Sequence, residues 1–311
     1  MSALGKFLYH WYYRPLAACD RISRQGVFNY LRVERARRKM IAAANALKGI
    51  ENPALPAYQV YILTGKKYWY QTAFCLYSLQ KVSDGMQINA ILVDDGSFDD
   101  KLVRQIRSQF PMARIQSAAE TEKRLKQYLP AERYPALRKK RESYPHIRKL
   151  TDIHAGQTGW KMVMDSDMLF FKEPELLESW LKNPSTSFFL RDPFYAYYYT
   201  LDLMSSLTGQ AIVPNLNVGM AGLDSENIDW DSLESWIVEL EAREGTNYLL
   251  EQALSAMIVA GKPVLVAPKD DYQVLPAEQE TRAPDAVLHH YVAESKEWYY
   301  KNAWRLVLNH D

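Results

Sequence analysis

Asp165 and Asp167 stand one residue apart at the end of an apolar run, in Met164-Asp165-Ser166-Asp167-Met168. Residues i and i+2 of an extended segment point the same way, so the two carboxylates converge and repel unless a cation lies between them. A divalent metal answers that repulsion, and hard oxygen ligands favour Mg²⁺ or Mn²⁺ over a softer ion. An ion held so keeps positions open for phosphate oxygens, which makes the pair a candidate pyrophosphate holder. The alternative is an exposed strand end with two solvated acids, and Asp-x-Asp alone does not separate the two.

Other residues of matching chemistry follow the same logic. Asp94 and Asp95 close the apolar run Ile91-Leu92-Val93 ahead of Gly96-Ser97, where a carboxylate can accept from a base or ribose or can make an ordinary turn. Asn217 and Gly219 flank a short apolar strand suited to close contact with a polyhydroxylated ligand. Glu251 and Gln252 open an apolar helical segment. Leu288-His289-His290-Tyr291 offers a neutral imidazole as a further metal ligand, and Lys296 a point charge for phosphate. Asp192 leads into Pro193-Phe194-Tyr195-Ala196-Tyr197-Tyr198-Tyr199, an acceptor-binding candidate whose aromatics could equally be core.

These residues need elements to position them. Strand patterns fall at 58–63, 88–93, 113–115, 160–164, 188–190, 218–223 and 264–266. Helical patterns fall at 73–79, 101–109, 174–182 and 247–260, with a charged helical stretch at 120–150. Such alternation implies an α/β fold, a mostly parallel sheet covered by helices, with ligands beyond the carboxyl ends of the strands. Asn52-Pro53-Ala54-Leu55-Pro56 reads as a linker, dividing a basic helical extension, 1–51, from one catalytic domain, 52–311.

The extension carries ten basic residues against two acidic ones within residues 1–50, although the net charge of the 311-residue chain is only +1. Leu4, Phe7, Leu8, Trp11 and Tyr12 share one helical face, and Val27, Tyr30 and Leu31 repeat the pattern. A basic segment with an aromatic face suits an anionic membrane interface, or an arm packed on its own domain or a second subunit. The basic run 138–141 reads as a solvated helix face; no nucleic-acid motif accompanies it. Two cysteines, no metal-binding cysteine spacing, no apolar run of about 20 residues and no secretory signal pattern place the protein in the cytoplasm, with peripheral contact at the inner membrane surface as an option.

In their order the motifs resemble the nucleotide-sugar glycosyltransferases of the GT-A (Rossmann-like) fold, most of all glycosyltransferase family 8. MDSDMLFFKEP resembles that family's strand-terminal Asp-x-Asp segment, NVGMAGL its Asn-x-Gly strand and EQALSAM its Asp-Gln helix start. HYVAESKEW resembles its His-x-x-Gly-x-x-Lys-Pro-Trp signature, with Ala293 at the glycine and Glu297 at the proline, and Arg148 stands where such enzymes carry an arginine. The likeness covers roughly residues 58–300.

The resemblance implies a metal-dependent hexosyltransferase using a nucleotide-sugar donor, a UDP-sugar by family expectation, and a glycan or lipid-linked acceptor. It implies metal ligation by Asp165, Asp167 and His290. Donor-binding residues would be Thr64, Asp94, Asp95, Arg148, Asp165, Ser166, Asn217, Gly219 and Lys296, and Asp192, Glu251 and Gln252 would serve catalysis. Family 8 members retain anomeric configuration, whereas VDDGSFDD resembles the inverting family 2. A scaffold that binds nucleotide sugar or glycan without turnover is the non-enzymatic alternative. A nucleotidyltransferase lacks support, because no glycine-rich basic loop follows the first strand.

Overall fold

The computed structural model describes residues 26–309. Its strands are β1 (Ala57–Thr64), β2 (Gln87–Asp94), β3 (Arg114–Gln116), β4 (Trp160–Met164), β5 (Met168–Phe170), β6 (Ser187–Arg191), β7 (Leu216–Asp224), β8 (Val264–Val266), β9 (Tyr272–Val274) and β10 (Leu288–His290). The helices are α1 (Val27–Ala44), α2 (Trp69–Val82), α3 (Asp100–Gln109), α4 (Ala118–Tyr128), α5 (Pro135–Ser143), α6 (Arg148–His154), α7 (Glu175–Lys182), α8 (Leu201–Thr208), α9 (Trp230–Glu244), α10 (Leu250–Ile258), α11 (Lys296–Trp298) and α12 (Trp304–Asn309).

A seven-stranded sheet runs β3-β2-β1-β4-β7-β6-β8, with β7 antiparallel to both neighbours and the other pairings parallel. The inner strands are buried on both faces and read as apolar runs rather than alternations, as a sheet covered on both sides requires. One core holds α1 and α2 with the C-terminal segment, a second holds α8, α9 and α10, and a small third joins Ile91 and Val93 to Ile153 and Val163. The expected α/β architecture is present.

Two differences from the sequence reading have plain causes. The stretch 120–150 breaks into α4, α5 and α6, because Pro130 and Pro135 end one helix and start the next and Pro145 opens a 3₁₀ turn. The run 138–141 is not a solvated face. Arg138 pairs with Glu122, Lys140 with Glu241, and Arg141 with Asp152 at 2.6 Å, leaving only Lys139 exposed.

α1 is not a detached arm. Met40 and Ala44, with Leu47 just beyond the helix, are buried in the same core as β1 and α2. Val27, Phe28 and Leu31, at its start, are exposed. The pattern Leu4–Tyr12 and Cys19 lie outside the described residues; Cys75 is a buried free thiol.

A small second sheet, β5-β10-β9, decides where the site forms. β5 begins one residue after Asp167, and β10 pairs antiparallel to it with His290 opposite Met168. On the other side, β4 pairs with β7, Met164 opposite Met220. The tripeptide Asp165-Ser166-Asp167 between β4 and β5 therefore sits at the junction of the two sheets.

Candidate active site

Backbone pairing places the three candidate ligands. Asp165 N–H donates to Gly219 O at 2.7 Å, and Tyr291 N–H donates to Asp167 O at 2.9 Å. Asp165, Asp167 and His290 thereby bring ligand atoms within 4.8 Å of one another. His290 Nε2 lies 3.4 Å from Asp167 Oδ1 and 3.7 Å from Asp165 Oδ2.

The imidazole's tautomer follows from its neighbours. Asn217 Nδ2 donates to Asp192 Oδ1 at 2.9 Å, so the amide is oriented with Oδ1 toward the ring. That oxygen accepts from Gly219 N–H at 2.9 Å and faces His290 Nδ1 at 3.2 Å. Nδ1 must then be the donor, which leaves a lone pair on the neutral ring's Nε2. Nε2 is buried without a hydrogen-bond partner, aimed at two carboxylates. A lone pair against two anions is repulsive unless a cation stands between them. One imidazole and two carboxylates, with the imidazole's other nitrogen held in place, suit Mn²⁺ or Mg²⁺. Gly219 is required here, since a Cβ would overlap the His290 ring.

Fixed cations surround these ligands. Lys296 Nζ is 2.9 Å from Asp167 Oδ2. Burial pushes the Asp167 carboxyl up, and the Lys296 ammonium opposes it, so that the group lies well below the usual range. Asp167 in turn raises Lys296, against the opposing effect of burial. Lys149 Nζ lies 3.1 Å from Asp165 Oδ1 and 3.3 Å from Glu251 Oε2, and donates to Val218 O at 3.2 Å. Burial pushes the Glu251 carboxyl up to about 7, with Lys149 opposing.

A cleft of about 420 Å³ opens beside this cluster. Asp165, Ser166, Asp167, Lys296, Arg148 and Lys149 line one part of it, and Thr64, Gly65, Tyr68, Gln71, Asp95 and His146 another. Asp95 packs so closely on Gly65 that a Cβ there would overlap its carboxylate, and Arg148 Nη1 donates to Asp95 O at 2.8 Å. Asp94 faces its own loop, where its Oδ1 accepts from the N–H groups of Gly96, Ser97 and Phe98. Asp95 Oδ1 shares in the loop by accepting from Ser97 N–H at 2.9 Å, but of the two acids it alone lines the cleft.

Asp192, Asn217, Gly219, Glu251, Gln252 and His290 do not line the cleft but back onto it through the Asn217–His290 and Glu251–Lys149 contacts. Gln252 Nε2 donates to Asp192 Oδ2 at 2.7 Å and to Ala196 O at 2.7 Å. Burial raises the Asp192 carboxyl, and the Asn217 and Gln252 amides partly offset this. Of the aromatic run after it, Tyr197 and Tyr199 are core, while Phe194, Tyr195 and Tyr198 are exposed.

Solved structures with the same architecture are glycosyltransferases. The chain overlays mouse xyloside xylosyltransferase 1 in its apo form with a TM-score of 0.51 at 12% identity, covering 77% of this chain and 99% of that one. It overlays the apo bifunctional glycosyltransferase WbbM at 0.54 and 11%, covering 84% of this chain and 51% of that one. For the galactosyltransferase LgtC with donor and acceptor sugar analogues the values are 0.50 and 11%, with 80% and 95% covered. The chain has the GT-A fold. No family model and no curated protein sequence matches it.

Within this GT-A fold, sequence reasoning missed Lys149, His146 and Gln71. Lys149 follows Arg148 in the short helix α6, and nothing in its spacing marks it as the member that turns inward. Ala293, at the signature's glycine position, takes φ +46°, a left-handed conformation costing a non-glycine residue about 1 kcal/mol. The backbone shape that glycine would supply is kept, at that cost.

Proposed function

We propose that the chain is a metal-dependent glycosyltransferase that moves a sugar from a UDP-sugar donor to a glycan or lipid-linked acceptor, with retention. The observation that carries this reading is the bare, buried Nε2 of His290, facing Asp165 and Asp167 at the edge of a cleft lined by Lys296 and Arg148. A divalent ion held by Asp165, Asp167 and His290 would supply Lewis-acid stabilisation of the charge that builds on the departing nucleoside diphosphate.

The chain's own groups do the rest. Lys296 and Arg148 place fixed positive charge beside the diphosphate, where charge develops. Asp95, with Thr64 and Gly65, holds the nucleoside, and Ser166 stands at the phosphates. Asp192, Asn217 and Gln252 stand behind the cleft and act on the donor site through the Asn217–His290 contact. Both oxygens of Asp192 already accept side-chain amides, and Glu251, 4% exposed, is held on Lys149. Neither is a free base for an incoming hydroxyl. The acceptor's proton then passes to a phosphate oxygen of the donor, which favours retention over the inverting alternative. Release of nucleoside diphosphate from a panel of nucleotide sugars, with and without EDTA, tests the reading; a panel that is bound but never cleaved would favour the scaffold.

The proposal places the protein in the cytoplasm against an anionic membrane surface. No described helix is long and apolar enough to cross a membrane. Exposed Val27, Phe28 and Leu31 lead into exposed Arg32, Arg35, Arg38 and Lys39 along α1, an apolar tip followed by positive charge. Replacing Phe28 and Leu31 by serine in the full chain should reduce co-sedimentation with anionic liposomes; unchanged pelleting would remove the membrane contact.

A further inference from the structure

α1 and the turn that carries Lys296 are joined by a closed set of hydrogen bonds between residues more than 260 positions apart. Asn29 Nδ2 donates to both carboxylate oxygens of Glu297, each at 3.0 Å. Lys301 Nζ donates to Asn29 Oδ1 and to Glu297 Oε1, each at 2.6 Å. The Glu297 and Lys301 side chains are only 12% and 21% exposed, so water screens this triangle less than a surface pair.

The segment has little regular structure with which to fix its lysine. α11 is three residues long, Ala293 precedes it at positive φ, and a π-helical turn, Tyr299–Ala303, follows it. Glu297 sits where the resembled signature has proline. A proline ring would stiffen the backbone at that point but accept no hydrogen bond. With glutamate there, the stiffening comes from another element.

We propose that α1 is a positioning element of the cleft: through Asn29 and Glu297 it holds Lys296 where its ammonium meets Asp167 and the donor phosphates. What Lys296 touches rests on the glycosyltransferase reading; the mechanical link does not.

The test compares the full chain with Asn29→Ala, Lys296→Ala and the double variant. Alanine is the best helix former, so Asn29→Ala leaves α1 intact. Hydrogen–deuterium exchange without ligand reads the link: residues 293–300 should exchange severalfold faster in Asn29→Ala, and wild-type rates there would overturn the proposal. Calorimetric titration with pyrophosphate in Mg²⁺ reads the consequence. Asn29→Ala should weaken binding about fivefold, the scale of one lost hydrogen-bonded link. In the Lys296→Ala background it should add nothing, because the two residues act as one unit. Independent, multiplying losses would overturn the positioning role. Wild-type affinity in Lys296→Ala would contradict the phosphate contact itself, leaving the exchange result to decide the link.

Discussion

The Lys149 ammonium stands 3.3 Å from the Glu251 carboxylate, with both side chains within about 6% of full burial. Lys149 also meets Asp165, so one lysine ties a candidate metal ligand to the start of α10. Burial works against its charge, and Asp165 and Glu251 together reverse that and raise its affinity for the proton. Lys149→Met should therefore cost on the order of 3 kcal/mol in urea denaturation, because it strands a buried carboxylate. Adding Glu251→Gln should recover at least half. A single-variant cost under about 1 kcal/mol would contradict the pairing.

The same carboxylate sets a pH dependence. Its folded-state value of about 7 lies above the ordinary 4.5, so between those limits the folded chain keeps a proton that the unfolded chain releases. The stability contributed by this group is complete below pH 4.5 and is lost as pH rises through 7. The stability of the wild type relative to Glu251→Gln should fall across that window by up to about 3 kcal/mol. A difference that is flat with pH would contradict the assignment.

Asp167→Asn removes one proposed ligand and the partner of Lys296 without opening the core. Lys296 is 42% exposed and can turn to water, so folding should survive. Thermal stabilisation by Mn²⁺ should vanish and activity fall at least about a hundredfold, as expected when a metal's several kcal/mol are lost. Full activity in this variant would remove the ligand assignment.

Gly219→Ala tests the ring's placement. The added methyl overlaps His290 and must displace it or the strand, an overpacking cost of about 1–3 kcal/mol. Mn²⁺ affinity by titration should fall at least about tenfold. Unchanged affinity would show that His290 is not held where the structure places it.

Much of this was legible in the chain because local chemistry and fold agree. The apolar runs ending in Asp94-Asp95 and in Asp165-Ser166-Asp167 became β2 and β4, and α10 starts one residue before the Glu251-Gln252 pair. What the sequence did not reveal depends on contacts between distant segments. Asp94 and Asp95 look equivalent until Asp95, and not Asp94, is seen to line the cleft. Lys149 looks like any lysine beside an arginine until α6 turns it toward Asp165 and Glu251. The run 138–141 looks solvated until Glu122, Asp152 and Glu241 arrive from three other elements. Glu297 looked like a lapse from a signature, and in three dimensions it is the anchor for Asn29.

The central claim is that Asp165, Asp167 and His290 hold a metal for cleaving a nucleotide sugar. Incubating the purified full chain with UDP-, GDP-, ADP-, CMP- and dTDP-sugars in Mn²⁺, Mg²⁺ or EDTA, and measuring released nucleotide, tests it without an acceptor. The account expects slow release from one donor, a UDP-sugar, stimulated by Mn²⁺ or Mg²⁺ and abolished by EDTA. Release that persists in EDTA would contradict the metal's role, and no release from any donor together with no Mn²⁺-dependent thermal shift would contradict the account as a whole.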